Sequence, residues 1–175
     1  MPTQRARWTD VGRYVASLPG SLDDSLLLAR GSTSEAPAWV PCTGTRAVLV
    51  RLETAMTQDG GRWRFDSEAQ QWLDAFQTLE VPMVFTSPAP TTALSDIEAA
   101  FRNAGLTKLL GLGEVRLGLT AGAMPVERAA IAGQRCIVAV VGRDASDFPN
   151  GLLPDTSPPA LRSKWGAGWF LVGAS

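Results

Sequence analysis

Apolar positions near the N-terminus recur at the spacing of one helical face, which predicts an amphipathic helix over residues 8–18. Ser21 to Asp24 has the composition of a helix cap, so a short second helix is expected to run through Ala29. Residues 38–40 have the composition of a short edge strand. The first part of the chain therefore predicts a mostly helical segment.

From residue 46 onward, short apolar runs alternate with stretches of helical periodicity. Almost wholly apolar runs are typical of parallel strands that are covered on both faces. The alternation predicts an α/β fold with a three-layer, Rossmann-like parallel sheet and an N-terminal helical extension. The predicted strands are 47–52, 82–86, 115–119 and 136–141, the predicted helices are 67–79, 95–104 and 125–133, and a hairpin tip is expected at 58–61.

The same pattern divides the chain into two parts. Residues 1–45 form an extension that is expected to pack on the core or on a partner. Residues 46–175 form the α/β domain, and its prolines after residue 153 indicate an irregular C-terminal tail. Trp165, Trp169 and Phe170 make this tail aromatic without giving it an evident face, so it is expected to be an edge strand or an interface for another chain.

Composition narrows the classes of function. The chain has 175 residues, 45% of them hydrophobic, which suits one globular domain with a single core. The net charge of −1 argues against general nucleic-acid binding. No apolar run is long enough for a membrane span and no secretory signal is evident, so a cytoplasmic protein is expected.

Two cysteines, Cys42 and Cys136, do not predict a disulfide framework, and Cys136 has the setting of a small core residue. The chain has no histidine, which excludes histidine bases and histidine metal ligands. Any catalysis must therefore use carboxylates, cationic side chains, hydroxyl groups or a metal that prefers oxygen ligands.

Polar residues follow three of the predicted strands. Arg51 and Glu53 end the first, Ser87 follows the second with Thr86 as the alternative in register, and Asp144 and Asp147 follow the last. Ligands of open α/β sheets bind where the carboxyl ends of the strands converge, so these side chains are expected to share one crevice.

This order and spacing resembles the haloacid dehalogenase-like superfamily, in its small capless form, over residues 46–150. The resemblance implies a nucleophilic aspartate at position 51, a general acid at 53, a phosphate-binding hydroxyl at Ser87, a basic residue at Arg128, and Mg²⁺ ligands at Asp144 and Asp147. The family's motifs are degenerate here, because the nucleophile position holds Arg51, which has no available lone pair and stays protonated. Glu53 has one methylene more than the aspartate expected at its position.

The altered motif favours a non-catalytic domain that acts as an interaction or regulatory protein, bound to another protein chain or to copies of itself and needing no cofactor. In this interpretation Arg51 takes the place of the metal, and a phosphate group is still held by Arg51, Ser87 and Arg128. The alternative is an unorthodox Mg²⁺-dependent phosphohydrolase that acts on a phosphate ester with water as the nucleophile.

Each of these residues also has an ordinary structural interpretation. Arg51 and Glu53 have the pattern of a plain ion pair, Ser87 before Pro88 that of a turn residue, and Asp144 and Asp147 that of turn and helix-cap residues. If these interpretations hold throughout, the chain is a small α/β protein whose likeness to the family is accidental.

Overall fold

The computed structural model describes residues 5–19, 22–29, 32–33 and 36–173. No helix in these ranges is both long and apolar enough to cross a membrane. The helices are α1 (Trp8–Ala16), α2 (Ser67–Thr78), α3 (Leu94–Asn103), α4 (Thr107–Leu112) and α5 (Met124–Ala132). The strands are β1 (Asp24–Leu28), β2 (Trp39–Pro41), β3 (Thr45–Arg51), β4 (Met56–Asp59), β5 (Arg62–Phe65), β6 (Met83–Thr86), β7 (Glu114–Arg116), β8 (Arg135–Gly142) and β9 (Trp169–Leu171).

Five of these strands form a parallel sheet in the order β7-β6-β3-β8-β9. The central strand β3 is buried from Ala47 to Val50, because helices and loops cover both faces of the sheet. The predicted three-layer, Rossmann-like α/β architecture is therefore confirmed. Helix α4 was not predicted, and β7 is shorter than the strand expected over residues 115–119.

Two apolar clusters form the core, one on each side of the sheet. The first joins β3 and β6 to α1, α2 and α3, and includes Trp8, Leu73 and Phe101. The second joins the sheet to β1, α5 and the C-terminal segment, and includes Leu26 and Ile131. The second face of the sheet is thus covered by helix α5, the β1–β2 hairpin and the irregular C-terminal segment.

The hairpin of β4 and β5 follows β3 directly, and its predicted tip is confirmed. Gln58 pairs with Trp63, and the turn contains Gly60 and Gly61. Both glycines have positive φ, at 56° and 83°, which side-chain-bearing residues rarely adopt. Trp63 faces the core, whereas Arg62 and Arg64 are exposed.

The N-terminal extension packs on the core of its own chain. Helix α1 confirms the first predicted helix, and its Trp8 and Val11 are buried. The second predicted helix is wrong, because residues 24–28 form β1, which pairs with β2 in an antiparallel hairpin. Leu26 and Leu27 pack on the apolar face of the sheet, and this tertiary contact outweighs the local preference for a helix. Ser21, which was expected to take part in the cap, lies outside the described residues.

The two cysteines form a disulfide bond, so the expectation that they make no disulfide framework is wrong. Cys42 follows β2 and Cys136 lies near the start of β8, with 94 residues separating them in the sequence. The bond ties the N-terminal hairpin to the central sheet. The buried position predicted for Cys136 is confirmed.

The aromatic tail is part of the sheet rather than an exposed docking segment. Trp169 and Phe170 lie in the edge strand β9 with 0% and 1% of their surface exposed, so the interface predicted for these two residues is wrong. The Trp169 indole N–H donates to the Leu26 carbonyl at 2.9 Å, which gives the buried ring its polar partner. Trp165 is half-buried and donates to Ser157 Oγ at 2.7 Å, and its role in an interface stays a prediction.

Candidate functional site

The carboxyl ends of three adjacent strands carry the polar residues that the sequence singled out. Arg51 is the last residue of β3 and pairs in register with Thr86, the last residue of β6. The neighbouring strand β8 ends at Gly142, and the chain then turns through residues 145–147. The structure therefore brings Arg51, Glu53, Ser87, Asp144 and Asp147 together at one edge of the sheet, as expected.

Arg51 is the centre of this cluster. Its Nε donates to Glu53 Oε1 at 2.9 Å, and its Nη1 donates to Asp147 Oδ1 at 2.9 Å. The same Nη1 lies 3.8 Å from Asp144 Oδ2. Partial burial by itself lowers the pKa of Arg51, but Asp147 and then Glu53 outweigh this effect and leave the pKa above its ordinary value. Arg51 is therefore a fixed cation among three carboxylates.

Glu53 is held from two sides. One carboxylate oxygen accepts from Arg51, and the other accepts from Ser87 Oγ at 2.7 Å. Ser87 Oγ also accepts from the backbone N–H of Ala89 at 3.0 Å, and Ser87 is fully buried. The Ser87 hydroxyl proton is thus directed at Glu53, and the serine links β6 to β3.

Asp147 is almost completely buried, with 3% of its side chain exposed. Its Oδ2 accepts from the backbone N–H groups of Arg143 and Asp144 at 2.8 and 3.2 Å, while Oδ1 is paired with Arg51. Asp144 is more exposed, and its Oδ1 caps the following turn by accepting from the Ser146 N–H at 3.0 Å. The two aspartates therefore have the turn-capping role that was the ordinary interpretation, and Asp147 also pairs with Arg51.

Arg128 lies in α5 beside this cluster but makes no hydrogen bond with it. Its Nη1 donates to the carbonyl oxygen of Ser146. Burial lowers the pKa of Arg128, and the nearby negative charge of Asp147 offsets part of that shift. The guanidinium is thus close to the aspartate turn without being aimed at Ser87 or Arg51 by any direct contact that the described residues make.

The sequence did not predict a role for Gly142, although this glycine lets Asp147 approach Arg51. A Cβ atom at Gly142 would lie 2.6 Å from Cβ of Asp147 and 2.7 Å from the ring of Phe148. Because any side chain at position 142 would displace Asp147, this glycine lets the aspartate fold back toward Arg51. A glycine at the end of an apolar strand is the signal for such a close approach.

The cluster offers no open set of metal ligands. Within the ranges that the structure describes, no group of three or more Asp, Glu, Cys or His side chains is arranged to hold a metal ion. Mg²⁺ requires several oxygen ligands, and here both oxygens of Glu53 and both of Asp147 already accept hydrogen bonds. What the arrangement provides is a closed ion-pair network that joins three strand ends.

Comparisons with solved structures identify the fold. No protein-family model and no curated protein sequence matches the chain. The class C acid phosphatase from Bacillus anthracis is similar, with a TM-score of 0.62 and 11% identity over 94% of this chain and 73% of that one. The same organism's class C acid phosphatase with tungstate bound gives a TM-score of 0.55 and 12% identity over 74% of this chain and 67% of that one. The chain therefore shares its Rossmann-like α/β fold with these two structures.

Proposed function

We propose that this chain is a catalytically silent haloacid dehalogenase-like domain that works by binding, as an interaction or regulatory protein. The single observation that carries the proposal is Arg51. A guanidinium stands at the position where the resemblance implies the nucleophile, and it is bound on two sides by carboxylates. Arginine stays protonated and has no lone pair with which to attack phosphorus.

Charge supports the same conclusion. Bound Mg²⁺ neutralises crowded carboxylates in a metal-dependent site. Here Arg51 supplies a positive charge among Glu53, Asp144 and Asp147 without a metal. We therefore expect the wild-type site to have little affinity for Mg²⁺.

Within this proposal, we expect Arg51, Ser87 and Arg128 to bind phosphate only weakly. Two guanidinium groups share the region with three carboxylates, so the local charge is not that of an anion site. The Ser87 hydroxyl donates to Glu53, and Arg128 donates to a backbone carbonyl. A phosphate group would have to displace these partners before it was bound.

The alternative function is an unorthodox Mg²⁺-dependent phosphohydrolase. Its support is that two similar solved structures are acid phosphatases, one of them with tungstate bound. In this alternative Glu53 acts as the acid or base, and Asp144 and Asp147 hold the metal. It requires that Arg51 leave the carboxylates when Mg²⁺ binds, which costs two charge-assisted hydrogen bonds.

Calorimetric titration with Mg²⁺ and hydrolysis of an aryl phosphate test the two functions together. We expect the wild type to show neither binding nor turnover, and Arg51→Asp to bind Mg²⁺ in the millimolar range or more tightly because the carboxylates are released. Arg64→Asp is the matched control, since it makes the same charge change at an exposed position of β5. Turnover by the wild type that is lost in both Glu53→Ala and Asp144→Asn would overturn the proposal in favour of the phosphohydrolase.

The compartment in which the chain works is also a proposal. Disulfides persist in oxidising compartments and are rare in a reducing cytosol. The bond between Cys42 and Cys136 therefore supports an oxidising environment rather than the cytoplasm expected from the sequence.

A further inference from the structure

A groove separate from the cluster of strand ends lies between the β1–β2 hairpin, α5 and the turn at residues 149–151. Its volume is about 640 Å³, within the range of small-molecule sites. Val126 lies at its rim with 65% of its surface exposed. The groove walls include Leu27, Val40, Val126, Ala129, Ala132 and Pro149.

One charged side chain interrupts this apolar lining. Arg128 is the only ionisable residue among the described residues that line the groove, and 7% of its surface is exposed. Asn150, with a positive φ of 57°, is the only amide side chain among them. The only charge that the described lining offers to a polar group of a ligand is therefore positive.

The charge of Arg128 is incompletely compensated. No carboxylate in the described part of the chain lies within ion-pair distance of it, and Nη1 donates to the Ser146 carbonyl. The negative charge of Asp147 acts on it, but both Asp147 oxygens already accept from Arg51 and from backbone N–H groups. Arg128 lines the groove, and among the described residues the hydrogen bond from Nη1 to the Ser146 carbonyl is the only one that its guanidinium makes.

We propose that the groove binds a free amphipathic carboxylate, such as a medium-chain fatty acid. The apolar tail lies against the walls formed by the hairpin and α5, and the carboxylate accepts hydrogen bonds from Arg128. A planar carboxylate matches the geometry of a guanidinium, and its single negative charge matches the single cation. A phosphate dianion fits less well, because the negative charge of Asp147 already acts on this single cation. This binding extends the proposed function and shares only Arg128 with the phosphatase-like site.

Calorimetric titration with octanoate tests this inference. Octylamine is the control for charge, since it carries a similar tail with the opposite charge, and acetate is the control for the tail. We expect octanoate to bind in the millimolar range or more tightly, and each control to bind at least about tenfold more weakly. Octylamine lacks the hydrogen bond to a charged group, and acetate lacks the methylene groups whose burial favours binding. Equal binding of octanoate and octylamine, or no binding of octanoate, would overturn the inference.

Variants locate the binding. Val126→Glu places a negative charge at the rim and is expected to weaken octanoate binding by about tenfold. Leu79→Glu is the matched control, because Leu79 is 63% exposed and lies outside the groove, and it should bind like the wild type. Arg128→Met should abolish the preference for octanoate over octylamine, and Arg128→Lys should keep it. If Val126→Glu and Leu79→Glu bind octanoate equally well, the ligand is not in this groove; Mg²⁺ titration of the same proteins tests the silent site separately.

Discussion

The disulfide between Cys42 and Cys136 gives the most direct test of how the N-terminal hairpin is held. The two cysteines are 94 residues apart in sequence. For a loop of this length, the chain-entropy relation predicts that the cross-link stabilises the native state by about 4.7 kcal/mol at 25 °C. With an unfolding entropy of about 2.1 cal/mol/K per residue, that free energy corresponds to a fall in Tm of roughly 10–15 °C when the bond is removed.

The perturbation is reduction of the wild type by dithiothreitol, followed by urea unfolding with the oxidised protein as reference. Reduction removes no heavy atom of either cysteine, so it breaks the cross-link without deleting the buried Cys136 sulfur. A variant with Cys42→Ala and Cys136→Ala should unfold at or somewhat below the midpoint of the reduced wild type, because it also loses that buried sulfur. The same variant must not respond to dithiothreitol, which makes it the control for other effects of the reductant.

Two results would refute this reasoning. One is a thiol titration of the unfolded, unreduced wild type that finds two free thiols, since the bond then does not form in the protein as isolated. The other is a urea midpoint that does not change on reduction, since the hairpin would then be held by packing alone.

Two further predictions concern α1 and its surroundings. A Cβ atom at the buried Gly12 would lie 2.1 Å from the Trp72 ring, so Gly12→Ala should destabilise the fold by about 1–3 kcal/mol in urea unfolding, despite the better helix propensity of alanine. Gly111→Ala in α4, where nothing lies within 4 Å, is the control and should stabilise by about 0.5–1 kcal/mol; a loss at both positions would contradict the role of Trp72. Burial raises the pKa of Tyr14, the only tyrosine, so its ultraviolet titration should have a midpoint above 10. Because the unfolded phenol ionises first, stability should fall as pH rises above about 10 in the wild type and less in Tyr14→Phe; identical pH profiles would contradict this assignment.

The sequence predicts the central sheet well because its strands have a strong physical signature. A run such as Ala47 to Val50 is apolar at every position, and only burial on both faces makes that pattern favourable. Helix α5 was equally easy to predict from the sequence, since Pro125 lies in its first turn and Gly133 is its C-cap. These elements depend mainly on their own residues, so local reasoning finds them.

The elements that local reasoning misses depend on distant contacts. Residues 24–28 form a strand because Leu26 and Leu27 pack on the sheet, and because Trp169 donates to the Leu26 carbonyl from the far end of the chain. The pairing of Cys42 with Cys136 likewise requires knowledge of the register, in which Cys136 lies opposite Arg46. No pattern within a short window contains either contact.

The candidate site is predictable from the sequence only in part. The convergence of Arg51, Ser87 and Asp147 follows from parallel topology alone, because the ends of adjacent parallel strands meet at one edge. Their pairing does not follow from topology, since an arginine at that edge is equally able to point into solvent. The missing information is the turn after Gly142, which brings Asp147 back to within 2.9 Å of the Arg51 guanidinium. A single arginine thus satisfies carboxylates that would otherwise repel one another, and this is why the cluster is expected to be stable without a metal.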